Sequence, residues 1–169
     1  MTLANEEINI DSRAFRNTIG LFATGVTVVA AEVDGEIRGM TANSITSVSL
    51  DPPLVLFCVQ KGAHLLEFLE KSGGFSINIL NADQTDLSHF FANMWPEAEP
   101  PPFTFTPWLG GPRLNGVMGA IACKVEQILE GGDHWIVIGL VVDLYYTPNS
   151  ADPLLYYMGQ YRRILNGTD

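Results

Sequence analysis

The chain has 169 residues, 47% of them hydrophobic, which is enough for one domain with one sizeable core. Nineteen acidic against nine basic side chains give a formal charge of −10, which argues against nucleic acid as a partner because phosphate-backbone affinity requires clustered lysines and arginines. The N-terminus has no signal-like pattern, and the longest apolar runs, residues 54–59 and 135–142, are too short to span a bilayer, so we expect a cytoplasmic protein without membrane contact.

The first predicted element is a helix near the N-terminus. Asp11 or Ser12 caps it, and the apolar side chains of Phe15 and Ile19 fall at helical spacing. Gly25 is the expected end of this helix.

A β-hairpin is predicted next. Residues 26–33 are apolar and β-branched, and Asp34-Gly35 is a tight-turn signal. Residues 39–50 then continue as one second extended segment, which ends at the Asp51-Pro52-Pro53 sequence.

The middle of the chain alternates between strand and helix patterns. Residues 54–60 form a short apolar run typical of a buried strand, residues 63–71 have helical spacing, and residues 75–80 read as a further strand. Asp83 or Thr85 is expected to cap a helix that runs to residue 91.

The C-terminal half combines a long loop with a second hairpin. Residues 94–116 are rich in proline and glycine, and long loops of this kind in compact domains are often functional. Residues 117–129 and 134–146 predict two long strands, and residues 154–157 a short final one.

These elements predict a mainly β protein with two or three flanking helices. We expect one domain over residues 1–169, with its core at about residues 12–163. Several long strands favour a closed or split β-barrel, because closure removes exposed sheet edges.

Residues 40–49 are unusual because small polar side chains occupy both faces of a predicted strand. Hydroxyl and amide groups supply donors and acceptors and allow close backbone approach, which suits a planar heteroaromatic ligand. The alternative is an edge strand with a solvated polar face. The two faces hold Thr41, Asn43, Ile45, Ser47 and Ser49 on one side and Ala42, Ser44, Thr46 and Val48 on the other.

The turn at residues 59–64 runs from a buried strand into a helix N-terminus. Free N–H groups and the helix dipole favour an anion there, and Lys61 adds one of the few cations of the chain. The alternative is a solvated lysine beside an ordinary helix start. Besides Lys61, the Arg162-Arg163 pair is the other candidate for neutralising a phosphate.

His134 opens a predicted strand directly after a turn, so its imidazole is able to point into the mouth of a barrel. The alternative is a hydrogen-bonded structural histidine. The three histidines lack the spacing of a metal site, so no metal is expected. Cys58 and Cys123 lie in apolar runs and are expected to be buried rather than bridged. Motifs of Rossmann, P-loop and serine-hydrolase sites are missing.

Several motifs, in their order and spacing, resemble the flavin reductase-like, FMN-binding split-barrel family. The resemblance covers nearly the whole chain, from about residue 15 to residue 163. The motifs are Phe15-Arg16, FATGVTVV at 22–29, GMTANSITSVSLDPPL at 39–54, SINIL at 76–80, Phe91-Ala92, Gly-Asp-His at 132–134, PLLYY at 153–157 and GQYR at 159–162.

The resemblance implies a homodimeric split barrel of Greek-key type that binds FMN or FAD and uses NADH or NADPH as reductant. It places His134 at the nicotinamide side as the catalytic-site histidine. The implied cofactor-binding residues are Thr41, Ala42, Asn43 and Ser44 toward the ribityl and phosphate, Ser47, Val48 and Ser49 at the isoalloxazine edge, Cys58, Val59, Gln60 and Lys61 at the phosphate side, and Phe91, Ala92 and Tyr161 as further wall.

The function that the resemblance implies is an NAD(P)H:flavin oxidoreductase that supplies reduced flavin to a partner monooxygenase. Hydride would pass from nicotinamide C4 to flavin N5, with backbone N–H groups near Ser47 to Ser49 stabilising the charge on the ring. Two alternatives remain open from the residues. One is a flavin-binding or electron-transfer protein without significant NAD(P)H oxidation, and the other is a structural β-barrel interaction protein.

Overall fold

Strands dominate the computed structural model, which describes residues 9–147 and 152–165. The mainly β prediction is confirmed. In chain order the described elements are α1 (Ser12–Ile19), β1 (Thr24–Gly25), β2 (Thr27–Val33), β3 (Glu36–Ala42), β4 (Thr46–Leu50), β5 (Pro53–Gln60), α2 (His64–Ser72), β6 (Gly74–Ile79), α3 (Thr85–Phe91), β7 (Phe105–Thr106), β8 (Arg113–Leu114), β9 (Gly119–Gly131), β10 (His134–Tyr146), β11 (Leu155–Tyr157) and β12 (Gln160–Arg162).

The first helix begins as predicted and ends early. The Asp11 carboxylate accepts a hydrogen bond from Ala14 N at 2.7 Å, so Asp11 is the cap. The helix ends at Gly20 instead of Gly25, because Thr24 and Gly25 form β1 and pair with β11. The strand pairing thus overrides the glycine signal.

The cap predicted for α3 is wrong. Gln84 occupies the position before the helix, and no side chain caps it. Asp83, one of the two expected caps, is used elsewhere, because its backbone N–H donates to Asn81 Oδ1 and its carboxylate pairs with Arg163.

The extended segment predicted at residues 39–50 is two strands separated by residues 43–45. The seven-stranded sheet has the order β3-β2-β6-β9-β10-β5-β4, and all its pairs are antiparallel. β3 and β4 therefore lie at opposite edges of one sheet, although they are neighbours in the chain.

The short link between the edge strands forces the sheet to curl. Six strand spacings of about 4.8 Å would hold the edges of a flat sheet about 29 Å apart. A link from Ala42 to Thr46 reaches at most about 14 Å. Register shifts in the β9–β10 and β4–β5 pairs are the kind of bulge that bends strands in this way. No ladder joins β3 to β4 among the described residues, so the barrel is split, as predicted.

Apolar side chains cover both faces of the sheet. Inside the curl, Phe57 and Phe75 meet edge to face at 5.2 Å, and Leu65 and Leu69 of α2 pack against them. On the other face, α3 and the proline-rich loop cover a second cluster. Its buried members are Val26, Val28, Leu80, Leu87, Phe91, Leu114, Val117, Ala120 and Leu154.

The proline-rich loop is anchored to the sheet at its C-terminal end. The Ser76 hydroxyl donates to Pro112 O, and Asn78 Oδ1 accepts from Leu114 N at 2.9 Å. Gly111 approaches the Phe75 backbone so closely that an added Cβ would lie 2.6 Å from it. None of the described helices combines the length and apolarity needed to cross a bilayer.

We expect Asn78→Leu to lower the free energy of unfolding by about 2–4 kcal/mol, because several buried partners lose their hydrogen bonds at once. The side chain is fully buried, donates to Val28 O at 3.0 Å and to Ser76 Oγ at 2.9 Å, and accepts from Leu114 N. Urea denaturation measures the change. Asn9→Leu, the same replacement at an exposed position, is the control and should change stability by less than about 0.5 kcal/mol. Equal losses would contradict the assignment.

Candidate functional site

A large cleft among the described residues has a volume of about 1340 Å³ and lies beside the link between β3 and β4. It exceeds the range of about 300–1,000 Å³ common for small-molecule pockets, so it has room for a nucleotide-sized ligand. Its walls come from α1 and the segment after it, the link between β3 and β4, the face of β5 that points away from the core, and the β11–β12 turn. The lining residues are Arg16 to Gly25, Thr27, Asn43 to Thr46, Leu56, Cys58, Tyr156, Met158 and Gly159.

The link between the two edge strands, residues 43–45, also forms part of the cleft. Ser44 Oγ accepts a hydrogen bond from Cys58 N at 3.0 Å and approaches Cys58 O at 3.4 Å, so the link is tied to β5. Thr27 Oγ1 donates to Ala42 O at 2.7 Å just before the link begins. Asn43 is exposed between these two anchors and lines the cleft. The predicted residues Asn43, Ser44 and Cys58 are thus brought together.

The lining of the cleft is unusual in its charge. Among the described residues that line it, Arg16 is the single charged side chain and none is an aspartate or glutamate, although the chain has nineteen acidic residues. Thr24 Oγ1 is buried in its wall without a hydrogen-bond partner in the part of the chain that the structure describes. Our sequence reasoning named neither residue as a site. The Phe15-Arg16 motif and the rarity of basic residues were signals that pointed to Arg16.

The predicted residues Ser47, Val48 and Ser49 lie on an edge strand. The register of β4 on β5 shifts between Ser47 and Ser49, so Val48 has no partner in the ladder. Since β4 ends the sheet, the backbone groups of this bulge on its outer side are available to a ligand.

Ser47, Val48 and Ser49 are not among the residues that line this cleft, and neither are the remaining predicted cofactor-binding residues. Thr41 Oγ1 donates to Ser88 O, and the Tyr161 hydroxyl lies 2.7 Å from Ser88 Oγ, so both contact α3. Phe91 packs in the second apolar cluster, and Ala92 ends α3. The side chains of Ala42 and Val59 are buried in the first core cluster. Tyr161 also lines a second pocket of about 450 Å³, together with Arg162 and Arg163.

The tip of the β9–β10 hairpin lies against the end of β5. Lys61 N donates to Asp133 O at 3.0 Å. The Lys61 ammonium pairs with Glu130 and lies 5.1 Å from the centre of the Trp135 ring. His134 Nδ1 lies 2.7 Å from Asp133 Oδ1. Lys61, predicted as an anion-binding residue, already has a carboxylate partner here.

His134 and the cleft share one face of the sheet. On β10, Val137 is fully buried toward the core, so residues of the opposite parity, such as His134 and Ile136, point away from it. Ile136 pairs with Cys58 and His134 with Gln60. His134 therefore lies two residue pairs beyond the cleft residue Cys58, about 7 Å along the strand.

Three titratable groups have shifted pKa values. The hydrogen bond and charge of Lys61 lower the pKa of Glu130, and those of His134 lower the pKa of Asp133. Burial raises the pKa of the Cys123 thiol to about 12, which leaves it protonated and unreactive at neutral pH. In the described ranges, no cluster of three or more His, Cys, Asp or Glu side chains is placed to hold a metal ion.

Comparison with known proteins gives consistent matches. The flavin reductase like domain family matches residues 19–165. HsaB, the reductase subunit of a flavin-dependent monooxygenase from Mycobacterium tuberculosis, is 38% identical over 92% of this chain and 83% of its own length. The NADH-dependent flavin reductase StyB from Pseudomonas fluorescens is 38% identical over 95% of both chains.

Solved structures of the same kind superpose closely. The flavin reductase PheA2 in its native state matches with a TM-score of 0.87 and 39% identity, over 93% of this chain and 100% of the other. The Streptomyces globisporus NADH:FAD oxidoreductase SgcE6, in complex with NAD and FAD fragments, matches with a TM-score of 0.83 and 35% identity, over 95% and 99%.

We expect Lys61→Met to return the pKa of Glu130 toward its ordinary value of 4.5, because Lys61 is the main cause of its lowering. A carboxylate with a lowered folded-state pKa stabilises the fold above its unfolded pKa and loses that contribution as pH falls through the folded value. The destabilisation by Lys61→Met should therefore be present at neutral pH and vanish in acid. Carboxyl NMR titration measures the pKa, with Lys71→Met as control. An unchanged Glu130 titration would refute the pairing.

Proposed function

The chain belongs to the flavin reductase like domain family, and from this premise we infer that it is an NAD(P)H-dependent flavin reductase that supplies reduced flavin to a partner monooxygenase. The relatives are named as reductase components of such monooxygenases or as NADH-dependent flavin reductases. The observation that carries the inference is the cleft, whose size and mostly apolar lining with a few polar groups fit a nucleotide.

The residues that line the cleft fit a flavin, FMN or FAD. The walls are mostly apolar, as a stacked aromatic ring system requires, and a few polar groups such as Asn43, Ser44 and Thr46 lie among them. The unpartnered Thr24 Oγ1 is a further polar atom in the wall that lacks a protein partner in the described residues. A flavin supplies the hydride-accepting chemistry when it is bound, and NADH or NADPH supplies the hydride.

We propose three groups of this chain for holding the flavin. Asn43 and Ser44 contact the ribityl and phosphate, and the backbone of Ser47, Val48 and Ser49 donates N–H groups to the polar edge of the ring. The end of β5, from Cys58 through Val59 and Gln60 to Lys61, forms the phosphate side. Thr41, Ala42, Phe91, Ala92 and Tyr161 complete the proposed set as supporting wall.

We propose that His134 orients the nicotinamide nucleotide. Its Nδ1 atom faces the Asp133 carboxylate, which favours a proton on Nδ1 and leaves Nε2 for contact with the ligand. Half-buried Ile136 lies between His134 and the cleft residue Cys58 on the same face of the sheet. In this role His134 positions the reductant and transfers no proton.

A second copy of this chain is the proposed oligomeric partner. α1 has no buried residue, and Phe15, Ile19 and Phe22 at this end of the chain are 61%, 57% and 73% exposed. Apolar side chains grouped in this way mark interaction surfaces. We propose a homodimer that covers them, a single domain over residues 1–169 with its core at about residues 12–163, and a cytoplasmic location, where nicotinamide nucleotides are available.

The first test of the function is NADH and then NADPH oxidation, followed at the nicotinamide absorbance band with FMN or FAD in excess. Turnover that depends on flavin supports the reductase, whereas flavin binding without turnover would favour a flavin carrier.

We expect His134→Ala to raise the KM for the nicotinamide nucleotide roughly tenfold, the size of a lost binding contact, and to leave flavin affinity unchanged. His64→Ala, at the start of α2, is the control. An unchanged KM in His134→Ala would exclude the positioning role.

The dimer is tested by Phe15→Glu, which places a charge on the exposed apolar surface near α1. We expect the variant to be monomeric at concentrations where the wild type is dimeric, because burying an unpaired carboxylate is costly. Light scattering over a concentration series measures the mass. Leu109→Glu, a similarly exposed leucine in the proline-rich loop, is the control and should remain dimeric. A monomeric wild type would rule out the proposed dimer.

A further inference from the structure

Arg16 has no acidic partner among the described residues, and of the basic residues that share this property it is the one that lines the large cleft. Arg38 pairs with Glu36, Lys61 with Glu130, and Arg163 with Asp83. Arg16 forms no ion pair within 4.0 Å in residues 9–147 and 152–165, and it is exposed in the wall of the large cleft. Its guanidinium is thus a permanent positive charge that no described carboxylate neutralises.

The surroundings of Arg16 increase its effect on an anion. None of the described residues that line the cleft is acidic, whereas the whole protein carries a charge of −10. A cleft with low-dielectric walls focuses the field of the charges that line it. The net charge of the protein repels a negatively charged ligand, whereas Arg16 in the cleft wall attracts it.

The backbone under Arg16 is ordered by α1. Arg16 lies in the last turn of the helix, where the dipole favours a cation, and Arg16 O accepts from Gly20 N at 2.9 Å. Asn43 and Ser44, on the link, line the same cleft, as does the unpartnered Thr24 Oγ1. The cleft thus combines one cation with several uncharged polar groups. A guanidinium has the donor geometry to bind two phosphate oxygens at once.

We propose that Arg16 binds a phosphate group of the nucleotide in the cleft and thereby makes the protein select phosphorylated ligands over the same ring system without phosphate. The proposal rests on the proposed function, since it assumes that the cleft holds a nucleotide. Flavin nucleotides and nicotinamide nucleotides both carry such a phosphate, and the experiment distinguishes these two sources.

The test compares dissociation constants of riboflavin, FMN, FAD and NAD⁺ for wild type, Arg16→Met, Arg16→Lys and Arg13→Met. Flavin fluorescence quenching or calorimetry gives the constants without any turnover. Arg13 lies on the same helix and does not line the cleft, so Arg13→Met is the matched control. We expect Arg16→Met to weaken FMN and FAD binding roughly 10- to 100-fold and to change riboflavin binding less than about twofold, as for a lost charge-assisted hydrogen bond.

The charge itself has a separate readout. Raising the salt concentration should weaken FMN binding to the wild type and have a smaller effect on Arg16→Met, because the ion pair is screened. Arg16→Lys should recover part of the affinity. A loss confined to NAD⁺ also supports the proposal and identifies the nicotinamide nucleotide as the source of the phosphate.

Two results would overturn the inference. One is unchanged binding of FMN, FAD and NAD⁺ to Arg16→Met. The other is an equal loss for riboflavin, which would mean that Arg16 only shapes the wall. Failure of the proposed function looks different, because then the wild type itself would bind no flavin, or would bind flavin without oxidising NADH or NADPH.

Discussion

Residues 43–45 join the two edge strands of a seven-stranded sheet, and this short connection determines the shape of the rest. Because the link is far shorter than the width of a flat sheet, the strands must curl around the core formed by Phe57, Phe75 and their neighbours. Ser44 then ties the link to the backbone of Cys58, and Asn43 is left exposed at the cleft. The link that makes the sheet curl therefore also forms part of the candidate site.

The two faces of the sheet contribute to different parts of the structure, one to the core and the other to the candidate site. The inner face packs α2 and the aromatic core, while the face of β5 and β10 that points away from this core carries Cys58, Ile136 and His134 in register. The net negative charge of the protein contrasts with the described lining of the cleft, in which the single charged side chain is Arg16. The cleft is thus a local exception to the overall charge.

Local patterns predicted most of the strands, and long-range contacts decided what they missed. The β9–β10 hairpin followed directly from its apolar runs and turn glycines. The sequence between residues 39 and 50 contains no turn signal that would predict two strands. The division at residues 43–45 arises because β3 pairs with β2 whereas β4 pairs with β5. Lys61 looked free in the sequence, yet its partner Glu130 is distant in the chain. The sequence does not show that Arg16 lines the cleft, because the end of α1 meets the distant β11–β12 turn, where Met158 N donates to Gly20 O at 2.9 Å.

The pairing of β5 with β10 also has a consequence for the newly made chain. β5, which ends at Gln60, pairs with β10, which begins at His134. The cleft wall beside Cys58 and the contact between β5 and the hairpin tip therefore form only after most of the polypeptide has left the ribosome. Contacts between such distant segments form slowly, because a long loop must close first. Until β10 has been synthesised, β5 lacks this partner strand. A ligand therefore binds in the complete cleft only after synthesis is almost finished.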